Sequence, residues 1–479
     1  MNHESTPRRL YWIDFPLLLA TVGLTTWIFP TDTMTFVGAL AGAGVGLYTL
    51  WEIIGRRAEI RFAHLFCIAN LCGYGLGTVN SWLTLPRGNL PLARCFGRDP
   101  EAVATVMGAI LICSGLLYAL GELYEPTVFD HAFSLDVDNR TIVFVMAGVS
   151  AVIAGFAFKK MGFQGITSDA GHVGFFSELL SWIFPTVFAV TALCFLEWRG
   201  MTKLFLSAML LAEFVLIIPT GRRNLIYFVL LAMIAVRLGP PRRRMRFSRR
   251  VIYASALAGA MALGGTAFYY LRYAGWSKHQ ISLPERISLA MTMYERGNTG
   301  KVNDALQKNL EKRTFVLGYV SDLLDASSRK PTAFGANALH EMQLAIPSAL
   351  YDDKAGVLYS EETVANNTFG FAYKDEANSV YSAGLIDFGF AGMLLYPVVI
   401  AFLFRVAAGA ARLYLRKEPA TIVILCLIYN ALLTEAGLST RFLAMRDSMI
   451  YAVFLWAIFE IPEFKLRMQG KRGEPCQTT

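Results

Sequence analysis

Residues 203–250 read KLFLSAMLLAEFVLIIPTGRRNLIYFVLLAMIAVRLGPPRRRMRFSRR. Two apolar runs, 203–220 and 224–238, meet at Pro219-Thr220-Gly221-Arg222-Arg223-Asn224, and the second runs into the intensely basic segment from Arg237 to Arg250. A helix needs about 20 residues to cross ~30 Å of hydrocarbon, and both runs approach that length. Short, strongly basic loops belong on the cytoplasmic side of a membrane. The stretch therefore reads as a transmembrane hairpin whose turn faces outward and whose second helix ends in the cytoplasm.

Further runs of the same kind extend in both directions, near 11–30, 34–54, 62–85, 102–122, 141–158, 176–196, 251–272, 380–405, 419–437 and 446–462. Together with the hairpin they predict an all-α, polytopic membrane protein of about twelve spans. Composition agrees: 55% of residues are apolar and 17% charged, against about 25% charged in globular proteins, and the mean hydropathy is +0.44. Soluble enzymes, disulfide scaffolds and disordered chains are excluded. Counting spans outward from Arg237–Arg250 places Arg56, Arg57 and Arg61, then Arg199 and Lys203, then Arg405, Arg412, Arg416 and Lys417, and the tail from Lys465 to Arg472 all inside, with both termini cytoplasmic. Arg8 and Arg9 precede the first run without a small-residue cleavage site, so that run reads as an uncleaved span. The net charge of +8 thus reports topology rather than nucleic-acid binding. Cys67, Cys72, Cys113, Cys194 and Cys426 fall inside apolar runs, so neither a disulfide nor a cysteine metal cluster is expected.

The organisation expected is an N-terminal transmembrane bundle over 1–272, a large outer loop over 273–379, C-terminal spans over 380–462 and a basic cytoplasmic tail over 463–479. Within the loop, Ile287, Ala290, Met291 and Tyr294 recur at helical spacing after Ser282, Pro284 and Glu285. Leu306 to Leu324 suggests a second helix, and Leu339, Met342 and Ile346 a short third one stopped by Pro347. The loop is expected to be helical and packed on the membrane surface. In the second run, Gly38, Gly42 and Gly46 make a small-residue seam for close helix packing.

Candidate chemistry gathers at the outer face. Arg222 and Arg223 defy the positive-inside bias, and a pair of planar, permanently charged forks in a tight turn suits a membrane-anchored pyrophosphate; the competing reading is a snorkelling pair on lipid headgroups. Arg441 and Arg446, between the last two spans, would border the same cationic pocket, although Asp447 is placed to neutralise Arg446. Proton acceptors are fewer. His340 in the outer loop is a candidate general base, Glu341 beside it is an alternative, and Asp387, about two turns into the tenth span, is costly unless it faces water or a cation. Glu213, also within a span and about 13 Å below Arg222 at 1.5 Å per residue, reads as a buried hydrogen-bonding residue or the floor of the pocket rather than a base. No zinc-protease, P-loop or serine-hydrolase motif appears in a usable context.

The outer Gly221-Arg222-Arg223 turn, the long late loop, the Ser382-x4-Asp387-Phe388-Gly389-x2-Gly392 start of the tenth span and the basic turn at Arg441 and Arg446 resemble the bacterial oligosaccharide repeat-unit polymerases of the Wzy type. Residues match in three short places: 219–224, 381–392, and around Arg441 and Arg446. The resemblance implies a GT-C-like, all-helical membrane glycosyltransferase of the inner membrane. It would act at the periplasmic face on undecaprenyl-pyrophosphate-linked oligosaccharides, without nucleotide sugar, metal or other cofactor, making O-antigen, capsule or exopolysaccharide. Arg222 and Arg223 would stabilise the departing pyrophosphate, Arg441 and Arg446 would support the donor or acceptor lipid, and His340, Glu341 or Asp387 would take the acceptor proton. Implied partners are membrane lipid and a chain-length regulator. An O-antigen ligase shares the architecture and the loop histidine, and a lipid-linked oligosaccharide flippase or secondary transporter is the alternative from another class, disfavoured because the unusual charges sit at one face rather than at the midplane.

Overall fold

The computed structural model describes residues 14–55, 59–84, 100–125, 127, 139–158, 161, 175–238, 247–274, 283–296, 300, 315–347, 350–351, 360–373 and 378–472. Among these the chain is all helical: α1 Asp14–Ile28, α2 Asp32–Ile54, α3 Phe62–Thr84, α4 Pro100–Tyr124, α5 Asn139–Ala157, α6 Phe175–Glu197, α7 Gly200–Ile217, α8 Arg222–Leu238, α9 Phe247–Ala274, α10 Leu283–Glu295, α11 Phe315–Arg329, α12 Ala336–Ala345, α13 Glu361–Phe369, α14 Val380–Tyr414, α15 Lys417–Leu432 and α16 Leu438–Arg472. Every expected apolar run coincides with a helix. Six segments are long and apolar enough to cross a membrane: Asp32–Ile54, Phe62–Asn80, Glu101–Tyr124, Leu179–Glu197, Gly200–Thr220 and Val380–Tyr414. Asp14–Ile28, Thr141–Ala157 and Asn224–Leu238 are shorter apolar helices. The architecture is that of an all-α membrane protein.

The helices gather into two compact units that interleave along the chain instead of following one another. The first unit takes Met1–Asp130, Thr266–Arg405 and Asn430–Leu443; the second takes His131–Gly265, Val406–Tyr429 and Ala444–Thr479.

In the first unit α1 and α2 pack on α4, and α2 on α3. The expected glycine seam is used here: the Cα of Gly38 and Gly42 face Leu111, and Gly46 faces Leu71 and Cys72, positions where larger residues would hold the helices apart. Glu125, just past α4, accepts hydrogen bonds from the amides of Phe62 (2.7 Å) and Ala63 (2.9 Å) and so closes the N-terminus of α3. The late loop contributes α10 to α13 to this unit. Its amphipathic α11 buries Leu317, Tyr319, Val320 and Leu323 and packs on α4, so this part of the loop is built onto a membrane-spanning helix. Of the second loop helix expected over 306–324, residues 306–314 lie outside the described residues, and α11 continues beyond Leu324 to Arg329.

In the second unit α6 packs against α5, α7 and α8. Glu213 is fully buried on α7, with the Thr191 hydroxyl 3.3 Å from its carboxylate, the hydrogen-bonded interior role read from the sequence.

Candidate functional site

The tenth expected span, 380–405, is not one continuous helix. Its backbone breaks at Phe388 (φ −138°, ψ 17°) and Gly389 (φ 61°, ψ −145°), a left-handed conformation that glycine adopts without strain. Across the break the chain doubles back so closely that a Cβ on Gly384 would overlap the backbone of Gly392, and one on Gly392 that of Gly384. The short leading helix, 380–387, is started by a reciprocal cap. Ser379 Oγ accepts from the Ser382 amide at 3.2 Å, and Ser382 Oγ accepts from the Ser379 amide at 2.8 Å. Each spaced residue of the Ser382–Gly392 signature therefore has a position in one hinge.

Asp387 ends the leading helix and is fully buried. Its carboxylate accepts from the amides of Asn337 and Ala338, both at 2.9 Å, which are the first orphan amides of α12, and from the Tyr396 hydroxyl at 2.7 Å across the break. The loop leading into α12 is strapped to the same place, with the Ala333 and Phe334 amides donating to the carbonyls of Ile386 (2.8 Å) and Asp387 (2.9 Å). Phe334 is the one non-glycine residue with positive φ (49°) among those described. Asp387 thus caps α12 by accepting from two of its amides and accepts a third bond from Tyr396, an arrangement that accounts for a carboxylate in a span.

Around this cap the late loop buries a cluster of acids. Glu341 on α12 and Glu361 and Glu362 at the start of α13 are buried together with Asp387. Ser360 caps α13, accepting from the Thr363 amide at 3.3 Å, and Glu362 accepts from the Asn378 side-chain amide at 3.0 Å. Burial raises the Glu341 carboxyl above the ordinary range; Ser439 opposes this, and the charges of Glu362 and Asp387 add to it. Burial raises Glu361 further, well above the ordinary range, with the nearby Ser382 hydroxyl opposing and the charges of Glu341, Glu362 and Asp387 reinforcing. Neither Glu361 carboxylate oxygen has a hydrogen bond of ordinary geometry among the described residues, the Ser382 hydroxyl itself donating to the Ser379 carbonyl at 2.8 Å. These acids form no grouping that could hold a metal ion among the described residues.

The sign of the pH dependence follows. Because burial holds the folded Glu361 carboxyl above the range in which the unfolded chain releases its proton, this group's contribution to stability is fully present at low pH and is lost as pH rises toward the folded value. The slope per group is at most about 1.4 kcal/mol per pH unit. Glu361→Gln, neutral and of the same shape, is expected to raise the melting temperature of the detergent-solubilised protein at about pH 8 more than at about pH 5. An equal effect at both pH values would contradict a protonated Glu361.

The other sequence candidates are placed as follows. His340 lies half-buried on α12 beside Glu341. Arg441, in the first unit, is only 2% exposed; its guanidinium lies over the Phe66 ring, 5.0 Å from the centroid, and donates to the carbonyls of Asn430 and Leu433. Those carbonyls end α15, where a cation is favoured. Arg446, in the second unit, binds Asp447 through Nε and Nη2 at 2.7 Å each, the neutralisation anticipated from their adjacency. Arg222 and Arg223 begin α8 after Gly221 (φ 136°), and Asn224 Nδ2 donates back to the Thr220 carbonyl at 3.0 Å; the two arginine side chains lie outside the described residues. Of the candidates, Glu341 and Asp387 are brought together, and two acids absent from the sequence reading, Glu361 and Glu362, join them. The signal for those two was the Ser360-Glu361-Glu362-Thr363 helix start; acids there usually face water, so their burial had no sequence mark. Compared with protein-family models, with curated proteins and with solved structures, the chain matches none.

Proposed function

We propose that this protein is a membrane glycosyltransferase that polymerises undecaprenyl-pyrophosphate-linked oligosaccharide units at the periplasmic face of the bacterial inner membrane, in a GT-C-like helical frame. The new glycosidic bond forms between the acceptor sugar hydroxyl and the anomeric carbon of the donor glycan, the bond to pyrophosphate breaks, and the acceptor proton leaves to a carboxylate or histidine of the late loop. Arg222 and Arg223 hold the departing pyrophosphate, helped by the positive end of the α8 helix dipole. Among the acids, Glu341 fits proton acceptance better than Asp387, whose oxygens are already committed to three donors.

The observation that carries this reading is the hinge at 379–392: residues on which the polymerase resemblance rests fasten the late loop to a membrane-spanning helix and set Glu341 among the buried acids. The test is reconstitution. Vesicles holding the purified full chain and lipid-linked repeat units are expected to build chains of increasing length without nucleotide sugar and to do so equally in EDTA. Arg223→Ala is expected to slow this by about 100-fold, the usual loss when one donor to a developing oxyanion is removed. Failure of folded wild-type protein to extend the units would contradict the proposal.

A further inference from the structure

Helix α12 is inside out. Its polar residues Asn337 and Glu341, one turn apart, are 0% and 3% exposed, whereas Leu339 and Met342 on the opposite face are 57% and 53% exposed, with Ile346 after them on the same side. The same inversion recurs in α10, where Arg286 is buried and donates to the Leu271 carbonyl at 3.4 Å while Ile287, Met291 and Tyr294 face outward. In α10 the apolar stripe read from the sequence is present and, apart from Ala290, it points away from the protein. A helix folded this way is best accommodated where its surroundings are apolar.

The position of α12 identifies those surroundings. Phe388, exposed at the break in α14, lies against Gly335 at the start of α12, since a Cβ there would come within 3.3 Å of its ring. Beyond the break, the membrane-spanning part of α14 presents Leu395, Val399 and Phe402 outward at i, i+4 and i+7. The outward face of α12 therefore continues, through Phe388, the lipid-facing stripe of a span. Phe334, just before α12, is itself 77% exposed and is held in its left-handed conformation by the strap to Asp387. We infer that α12 is seated in the bilayer, with Phe334, Leu339 and Met342 among the lipid chains and the acid-bearing face turned to the protein. This depends on the chain being in a membrane and not on the proposed activity.

The inference is tested on the full chain in phosphatidylcholine–phosphatidylglycerol vesicles, with a spin label placed in turn at positions 339, 342, 402 and 329 of a cysteine-free variant. Labels at 339 and 342 are expected to collide with oxygen far more than with a water-soluble nickel chelate, as at lipid-facing 402 and unlike 329, where Arg329 is 74% exposed and paired with Asp325. Nickel accessibility at 339 and 342 equal to that at 329 would overturn the inference. So would shielding from both reagents, which would mean that protein covers the helix. If the cysteine-free variant fails to fold, the unaltered chain is labelled with a photoreactive probe confined to the lipid chains, which is expected to mark the 336–346 peptide. Failure to mark it would mean that protein covers the helix and would overturn the inference. The unaltered chain is also oxidised by hydroxyl-radical footprinting. Met342 is expected to oxidise as slowly as the fully buried Met393, and oxidation at the rate of a water-exposed methionine would overturn the inference.

Discussion

Gly392→Val is expected to remove most folded protein from the membrane. A Cβ at position 392 meets the backbone of Gly384, not the yielding end of a side chain, and the hinge at Phe388–Gly389 leaves no other course for the chain. Overpacking a tight contact costs about 1–3 kcal/mol where neighbours can shift, and with two backbones in contact the upper end or more is expected. Gly384→Val is expected to act alike, and the two changes together to be less than additive because they break one contact. The control is Gly409→Ala in the same helix, where nothing lies within 4 Å of the added carbon. There the change is expected to be neutral or to stabilise by up to about 1 kcal/mol through helix propensity. The yield of monodisperse protein and its melting temperature decide the matter; equal tolerance at 392 and 409 would contradict the hinge.

Asp387→Ala is expected to release α12. Three donors lose their acceptor at once, the amides of Asn337 and Ala338 and the hydroxyl of Tyr396, and each buried donor left unpaired costs about 1–3 kcal/mol. Hydrogen exchange over 336–341 should rise sharply while α4 and the spanning part of α14 stay protected. Asp387→Asn should fall between wild type and alanine, since one oxygen still accepts but the new amide group faces one of the two amides of α12. Tyr396→Phe should lose only one bond, about 0.5–1.5 kcal/mol. This series separates capping from proton transfer. A cap predicts that activity falls in proportion to the loss of α12 protection, whereas a base predicts an inactive Asp387→Asn with α12 still protected.

The apolar runs made the helices legible because hydrocarbon thickness sets their length and admits little charge, whatever they pack against. The tenth span shows where that reading stops. Gly384, Phe388, Gly389 and Gly392 are as apolar as their neighbours, so hydropathy runs smoothly across a position where the chain reverses. Asp387 was visible as an anomaly, but its use depends on the amides of Asn337 and Ala338, fifty residues earlier, and such a pairing leaves no mark in spacing. Arg441 shows a second limit: outside a span an arginine reads as a surface cation, yet here it closes the end of α15 from within. In α10 and α12 the period of the apolar residues gave the helix, while the direction of the apolar face depended on whether water or lipid lay outside.

The measurement that tests the proposed function most directly is the glycan profile of a bacterial strain deleted for this protein and complemented with wild type or Arg223→Ala, with single repeat units resolved from long polymer and the variant shown to reach the membrane. The deletion and the expressed variant are both expected to carry single units only, with long polymer restored by wild type. Normal polymer lengths in the deletion strain would contradict polymerisation. Of the alternatives, a ligase would show as lipid-linked polymer that is not transferred to its acceptor, and a flippase as repeat units held on the cytoplasmic side.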